Sequence, residues 1–126
     1  PTVGFAVMGG IFGEGIDLVG DRLVGAAIVG VGLPQICLER DLIRHYFDEA
    51  DLPGFDYAYT FPGMNRVLQA AGRVIRTDAD RGTVLLLDRR FDQRRYRRLF
   101  PPFWQDVYTV RSCEDIERSL GYFWNE

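Results

Sequence analysis

The chain has 126 residues, 47% of them hydrophobic and 26% charged, with a formal net charge of −3. That balance fits one ordinary globular domain and excludes collagen-like, disordered and disulfide-framework classes. All 15 basic residues are arginine, which excludes chemistry that needs an amine: Schiff bases, a lysine general base and the lysine of a phosphate-binding P-loop.

In chain order, Val3 to Met8 is a short apolar run bounded by Gly9 and Gly10, as expected of a buried strand. Leu23 to Val31 reads the same way, with β-branched Val24, Ile28, Val29 and Val31, and Pro34 ends it. Leu38 to Ala50 carries Leu38, Leu42, Ile43, Tyr46 and Phe47 at helical spacing, closed by Asp51, Pro53 and Gly54. Thr60 is the expected N-cap of the next helix, with Pro62 in its first turn. That helix is expected to run through Met64, Leu68, Ala71 and Ile75 to near Thr77. Thr83 to Asp88 is a further strand, Asp92 to Leu99 a helix stopped by Pro101 and Pro102, and Asp106 to Val110 a fourth strand. Ser112 caps a last helix, with Asp115 three residues on in capping-box spacing. Alternating strands and helices predict an α/β fold with a mostly parallel sheet and helices on both faces.

Cys37, Cys113 and the sole histidine, His45, stand too far apart for a metal-ligand set. Both cysteines are expected to be reduced and buried. The longest apolar run, Leu23 to Leu33, is about half the ~20 residues a membrane-crossing helix needs, so no membrane span and a cytoplasmic location are expected. Pro1 leads straight into an apolar run, as expected of an internal piece of a longer polypeptide.

Charge is uneven: Pro1 to Gly72 carries 4 arginines against 9 acids, Arg73 to Arg98 carries 9 against 4, and Leu99 to Glu126 carries 2 against 5. Such a basic segment in an acidic chain suits a polyanion-binding face, and it also suits a solvated arginine helix. At about 100° per residue, Gln69, Arg73 and Arg76 fall within roughly 60° of one another, opposite Met64, Leu68, Ala71 and Ile75. Guanidiniums bind phosphate oxygens bidentately, and an arginine aimed at a transferring phosphoryl group stabilises transition-state charge. Arginine fingers without a P-loop make sense if the domain completes an ATP site housed elsewhere. Pairing of Arg73 and Arg76 with Asp78, Asp80 or Asp88 is the structural alternative. The turn Gly9 to Asp17 holds two acids, Glu14 and Asp17, among glycines that permit close backbone approach to a ligand.

These residues carry a resemblance. The turn Gly9 to Asp17, the run Val24 to Pro34, the segment QAAGRVIR from Gln69 to Arg76 and the strand Leu85 to Phe91 together resemble the C-terminal region of superfamily 2 DinG/XPD-like DNA helicases. In that family GxxxEGID is motif V and QxxGRxIR is motif VI, and the run YRRLFPPFW from Tyr96 to Trp104 resembles the family's continuation. The resemblance implies a RecA-like, three-layer α/β/α fold, here as an incomplete second motor domain spanning residues 1–126. It implies that Arg73 and Arg76 act near the ATP γ-phosphate, that Gln69 and Gly72 belong to the nucleotide site, and that Gly15 and Asp17 link ATP state to DNA grip. Glu14, Gly13, Arg94 and Arg98 are the expected DNA-binding or coupling residues, with Gly13 standing where the family commonly has serine or tryptophan. Arg89, Arg90, Arg95 and Arg97, interleaved with Phe91 and Tyr96, extend that candidate stripe.

ATP and Mg²⁺ are the implied cofactors, shared with an upstream RecA-like domain that would also hold any iron-sulfur cluster. Single-stranded DNA is the implied partner. The piece alone is expected to be inactive and to self-associate through an exposed apolar or sheet-edge surface. A non-catalytic phosphate- or polyanion-binding module is the alternative function.

Overall fold

A computed structural model of the protein describes residues 2–11, 18, 22–104 and 106–125. Two of the apolar runs pair in parallel as β1 (Gly25–Val29) and β2 (Thr83–Leu87), with Gly25 opposite Thr83 and Val29 opposite Leu87. Parallel neighbours require a long crossover. It is supplied by α1 (Leu38–Glu49), a π-helical turn (Asp56–Thr60) and α2 (Phe61–Ala71). A short 3₁₀ turn (Arg89–Asp92), α3 (Arg94–Arg97) and α4 (Cys113–Asn125) follow β2.

Side chains alternate across a strand, so one face of the sheet collects Ile28, Val84 and Leu86. Against it pack Met64, Val67 and Ala71 of α2, with Phe91 and Tyr96 completing the core. Each fully buried side chain such as Met64 or Val67 contributes about 2 kcal/mol of transfer free energy. Gly63 permits the close approach, since a Cβ there would meet the Val31 carbonyl oxygen at 2.7 Å.

α2 differs from expectation at both ends. Thr60 does not cap it, because the helical path begins earlier, in the π turn, and Thr60 is already in αR conformation and buried. Pro62 has no N–H to return to the Ala58 carbonyl four residues earlier, and Arg40 Nη1 donates to that carbonyl instead at 3.2 Å. The α-helix stops at Ala71 and not near Thr77.

α1 forms where its spacing predicts, yet Leu38, Leu42 and Tyr46 are exposed. The helix leans on the π turn, with Phe47 stacked on Tyr57 at 4.0 Å between centroids and Tyr59 Oη donating to Asp41 Oδ1 at 2.8 Å. Residues 3–8 and 106–110 carry no strand. The first run has no described neighbour to pair with, and Phe5 is 97% exposed. The second is held by side chains: Arg97 donates to the Val107 carbonyl at 3.4 Å and to Thr109 Oγ1 at 2.9 Å. Between it and β2 runs a groove of about 1440 Å³, lined by Phe91, Phe100, Trp104, Val107 and Phe123 among others. The region expected as a helix from Asp92 to Leu99 splits at Gln93, whose ψ of 137° is extended.

Ser112 caps α4 as its spacing predicts, accepting from the Asp115 N–H at 3.1 Å. Asp115 in turn accepts from the Arg111 N–H at 3.3 Å, one residue before the cap. Cys37 and Cys113 are free but exposed, not buried, because each sits at the surface start of a helix. Among the described residues no helix is long and apolar enough to cross a membrane.

Candidate functional site

The segment from Gln69 to Arg76 lies at the amino end of β2, where a Cβ on Gly82 would meet Val74 Cγ1 at 2.3 Å. Gln69 is exposed in the last turn of α2, and Gly72 (φ −64°, ψ −8°) follows as the exposed C-cap. Tighter bonds then replace α spacing: the Arg73 N–H donates to Ala70 O at 3.3 Å and the Val74 N–H to Ala71 O at 3.0 Å. Arg73, in this turn, is half-buried with its Nε shielded from solvent.

Arg76 is exposed and lies beyond the helix, so the single helical face expected for Gln69, Arg73 and Arg76 does not form. Asp80 shapes this departure by accepting from the N–H groups of Arg76 at 2.9 Å and Thr77 at 2.8 Å. Those backbone donors hold the Asp80 carboxyl below the usual carboxylate range. Val74, 4% exposed, takes the core position expected of Ile75, which is 45% exposed.

The arginine-rich segment divides. Arg90 forks onto Asp88, Nε to Oδ1 at 3.0 Å and Nη2 to Oδ2 at 2.8 Å. This hydrogen-bonded pair lowers the Asp88 carboxyl pKa and raises that of Arg90. Arg95 donates through Nε at 3.0 Å and through Nη2 to buried Asp56, and Nη2 reaches Thr60 Oγ1 at 3.3 Å. Arg97 joins Asp92 at 2.9 Å, where Thr109 also donates. Arg94 and Arg98 are exposed at helical i, i+4 spacing, with no carboxylate at ion-pair distance among the described residues.

Gly13, Glu14, Gly15 and Asp17 lie outside the described residues. The start of their turn is described: Gly9 has φ 78°, and the Gly10 N–H donates to Val7 O at 3.0 Å. A residue not singled out in the sequence borders it. Arg66 lies beside Gly9, its Nε 3.6 Å from where a Cβ would stand, and its Nη1 donates to Gly32 O at 3.5 Å. Arg66 precedes Gln69 by three residues, spacing that marks a shared helix face and was the available signal. Among the described residues no group of three or more His, Cys, Asp or Glu is placed to hold a metal ion.

Residues 1–107 match the family model for the helicase C-terminal domain. The chain belongs to that family. This helicase C-terminal domain is 34% identical over 100 residues to the ATP-dependent DNA helicase DinG of Photobacterium profundum, covering 75% of the chain and 14% of that protein. It is 33% identical over 104 residues to the XPD helicase subunit of general transcription and DNA repair factor IIH from Arabidopsis thaliana, covering 79% and 13%. It is 35% identical over 98 residues to a probable ATP-dependent helicase of Methanocaldococcus jannaschii, covering 70% and 15%. The chain thus spans only 13–15% of these relatives' lengths.

Proposed function

We propose that this helicase C-terminal domain is part of the second RecA-like motor domain of a DinG/XPD-like ATP-dependent DNA helicase, and that it completes an ATP site formed with another domain. In this reading the two parallel strands belong to a larger three-layer sheet. The bare apolar side chains of Val3, Phe5 and Val7 support that, since strand-forming residues are stable only with partners.

The observation that carries the reading is Arg73. A guanidinium held in a tight turn against the core, with Nε out of water, is a preorganised positive charge. Arg73 and Arg76 fit the terminal phosphate of ATP, which they would hold by charge-assisted hydrogen bonds, and Gln69 supplies an amide beside them. When bound, ATP supplies the phosphoryl group that is transferred. Charge building on that group is offset by Arg73 and, from an exposed position, by Arg76. Gly72 leaves the approach unobstructed. The described residues do not fit a Mg²⁺ site. Cleft closure and opening at this arginine turn, coupled to the glycine-rich segment of Gly15 and Asp17, would move the domain along single-stranded DNA. Arg94 and Arg98 add surface charge for that strand.

The test is ATP hydrolysis by the full-length polypeptide with and without single-stranded DNA. DNA-stimulated turnover is expected. Strand binding by a folded protein without turnover would favour a non-catalytic polyanion-binding module.

A further inference from the structure

α1 is attached to the domain along one side. That inner side meets the π turn through Phe47 stacked on Tyr57, Arg40 donating to the Ala58 carbonyl and Asp41 accepting from Tyr59. None of the 12 residues of α1 is buried, although a helix that short is marginal in water without tertiary packing. At about 100° per residue, Leu38, Leu42 and Tyr46 form a stripe about 80° wide on the outer side. They are 72%, 59% and 69% exposed, and Ile36, just before the helix, is 78% exposed. Rows of side chains four residues apart are the ridges that interlock when two helices pack, so the stripe has the form of a seat for a second helix.

Charge decides which helix fits. Leu38 to Asp51 carries five acids, Glu39, Asp41, Asp48, Glu49 and Asp51, against Arg40 and Arg44, a formal −3 that equals the net charge of the whole chain. Both arginines lie on the side away from the stripe, where Arg40 holds the Ala58 carbonyl and Arg44 pairs with Asp48 at 3.6 Å, 5.9 Å from the Phe55 ring. Glu39 and Glu49 are exposed and fall within about 60° of the centre of the stripe. A second copy is a poor occupant, since two α1 helices laid antiparallel bring Glu39 of each against Glu49 of the other. An apolar strip with charges on its rim has the make-up of a separable interface, whereas permanently covered ones are more apolar.

We propose that the outer face of α1 docks a basic amphipathic helix of another protein, which lays an apolar row on Leu38, Leu42 and Tyr46 and sets lysine or arginine against Glu39 and Glu49. The face uses none of the residues assigned above to nucleotide or strand, so the inference stands apart from the helicase reading.

The probe is a fluorescent three-heptad peptide with leucine at a and d and lysine at e and g, where the lysines also keep it from pairing with itself. A matched peptide carries glutamate in place of lysine. Binding to the full-length protein is read by anisotropy at moderate salt. The lysine peptide should bind, and the glutamate peptide should bind at least about 10-fold more weakly. Leu42→Glu separates docking from bulk attraction, because it adds negative charge while breaking the apolar row. Docking predicts that the lysine peptide binds this variant at least about 10-fold more weakly, whereas bulk attraction leaves binding unchanged or strengthens it. Glu39→Lys with Glu49→Lys should reverse the preference toward the glutamate peptide, and this exposed pair carries the test alone should Leu42→Glu fail to fold. No binding by folded wild type, as when another part of the polypeptide already covers α1, would overturn the proposal. So would wild-type affinity in Leu42→Glu, an unreversed preference in the lysine pair, or a wild-type dimer in sedimentation that Leu42→Glu dissociates.

Discussion

Two arginine groups that look alike in composition behave differently in the fold. In the segment after β2, Arg90, Arg95 and Arg97 are spent on Asp88, Asp56 and Asp92, and they hold the 3₁₀ turn, the π turn and the C-terminal segment in place. At the end of α2, the Arg73 N–H donates to Ala70 O and the Val74 N–H to Ala71 O, a tight turn that fixes the Arg73 backbone, and nearby Asp80 accepts from the main-chain N–H groups of Arg76 and Thr77. Basic residue count thus says little about ligand binding. In the proposed reading, what would distinguish a binding arginine is a backbone that fixes its position.

That contrast predicts a graded set of effects. The largest is on catalysis: Arg73→Ala should lower ATP turnover of the full-length protein by about 10²- to 10³-fold, as for loss of one preorganised transition-state donor. Arg73→Lys should not restore it, because an ammonium lacks the guanidinium fork. Steady-state phosphate release measures both.

Next is stability. Arg95→Ala leaves Asp56, 5% exposed, without its countercharge. The Arg95 side chain is itself 45% exposed, which moderates the cost to about 2 kcal/mol. A midpoint lower by roughly 6–10 °C is expected by calorimetry, whereas Arg94→Ala should change stability by less than about 0.5 kcal/mol.

A smaller effect separates the outward arginines. Replacing Arg94 and Arg98 together by alanine should weaken single-strand binding about 3- to 10-fold and reduce its salt dependence, measured by anisotropy. Charge-paired Arg97 should show no comparable change in salt slope.

The smallest is on pH. Backbone and arginine donors, and at Asp92 first the Thr109 hydroxyl, depress the carboxyls of Asp80, Asp88, Asp92 and Asp115. A carboxyl whose pKa is lower folded than unfolded stabilises fully above the unfolded value, and that contribution is lost as pH falls through the folded value. Thermal midpoints should hold from neutral pH to about 5 and decline below about 4.

Much of the fold was legible locally. The β-branched run around Ile28, the leucines of β2, the α1 spacing and the Ser112 cap all form where short-range chemistry puts them, since each depends on residues a few positions apart. Val3 to Met8 and Asp106 to Val110 read as strands on the same evidence and are not, because a strand needs a neighbour that a linear pattern cannot supply. The motif QAAGRVIR singled out Gln69, Gly72, Arg73 and Arg76 as candidates, but helical spacing misplaced Arg73 and Arg76, which both follow the end of α2. The end of α2 depends on Gly72 and on the Asp80 carboxylate, a capture visible only in three dimensions. Arg66 was overlooked for a related reason: its meaning comes from Gly9 and Gly32, 57 and 34 positions away.

The central claim is that the turn after α2 serves the nucleotide and the arginines elsewhere serve the strand or the fold. The most direct test is ATP turnover of the full-length polypeptide against single-stranded DNA concentration, for wild type and Arg73→Ala. The account predicts DNA-stimulated turnover whose maximum collapses in the variant, while DNA affinity, measured by anisotropy on the same samples, stays within about threefold. Full turnover in Arg73→Ala, or a folded variant that loses strand binding in step with turnover, would contradict it.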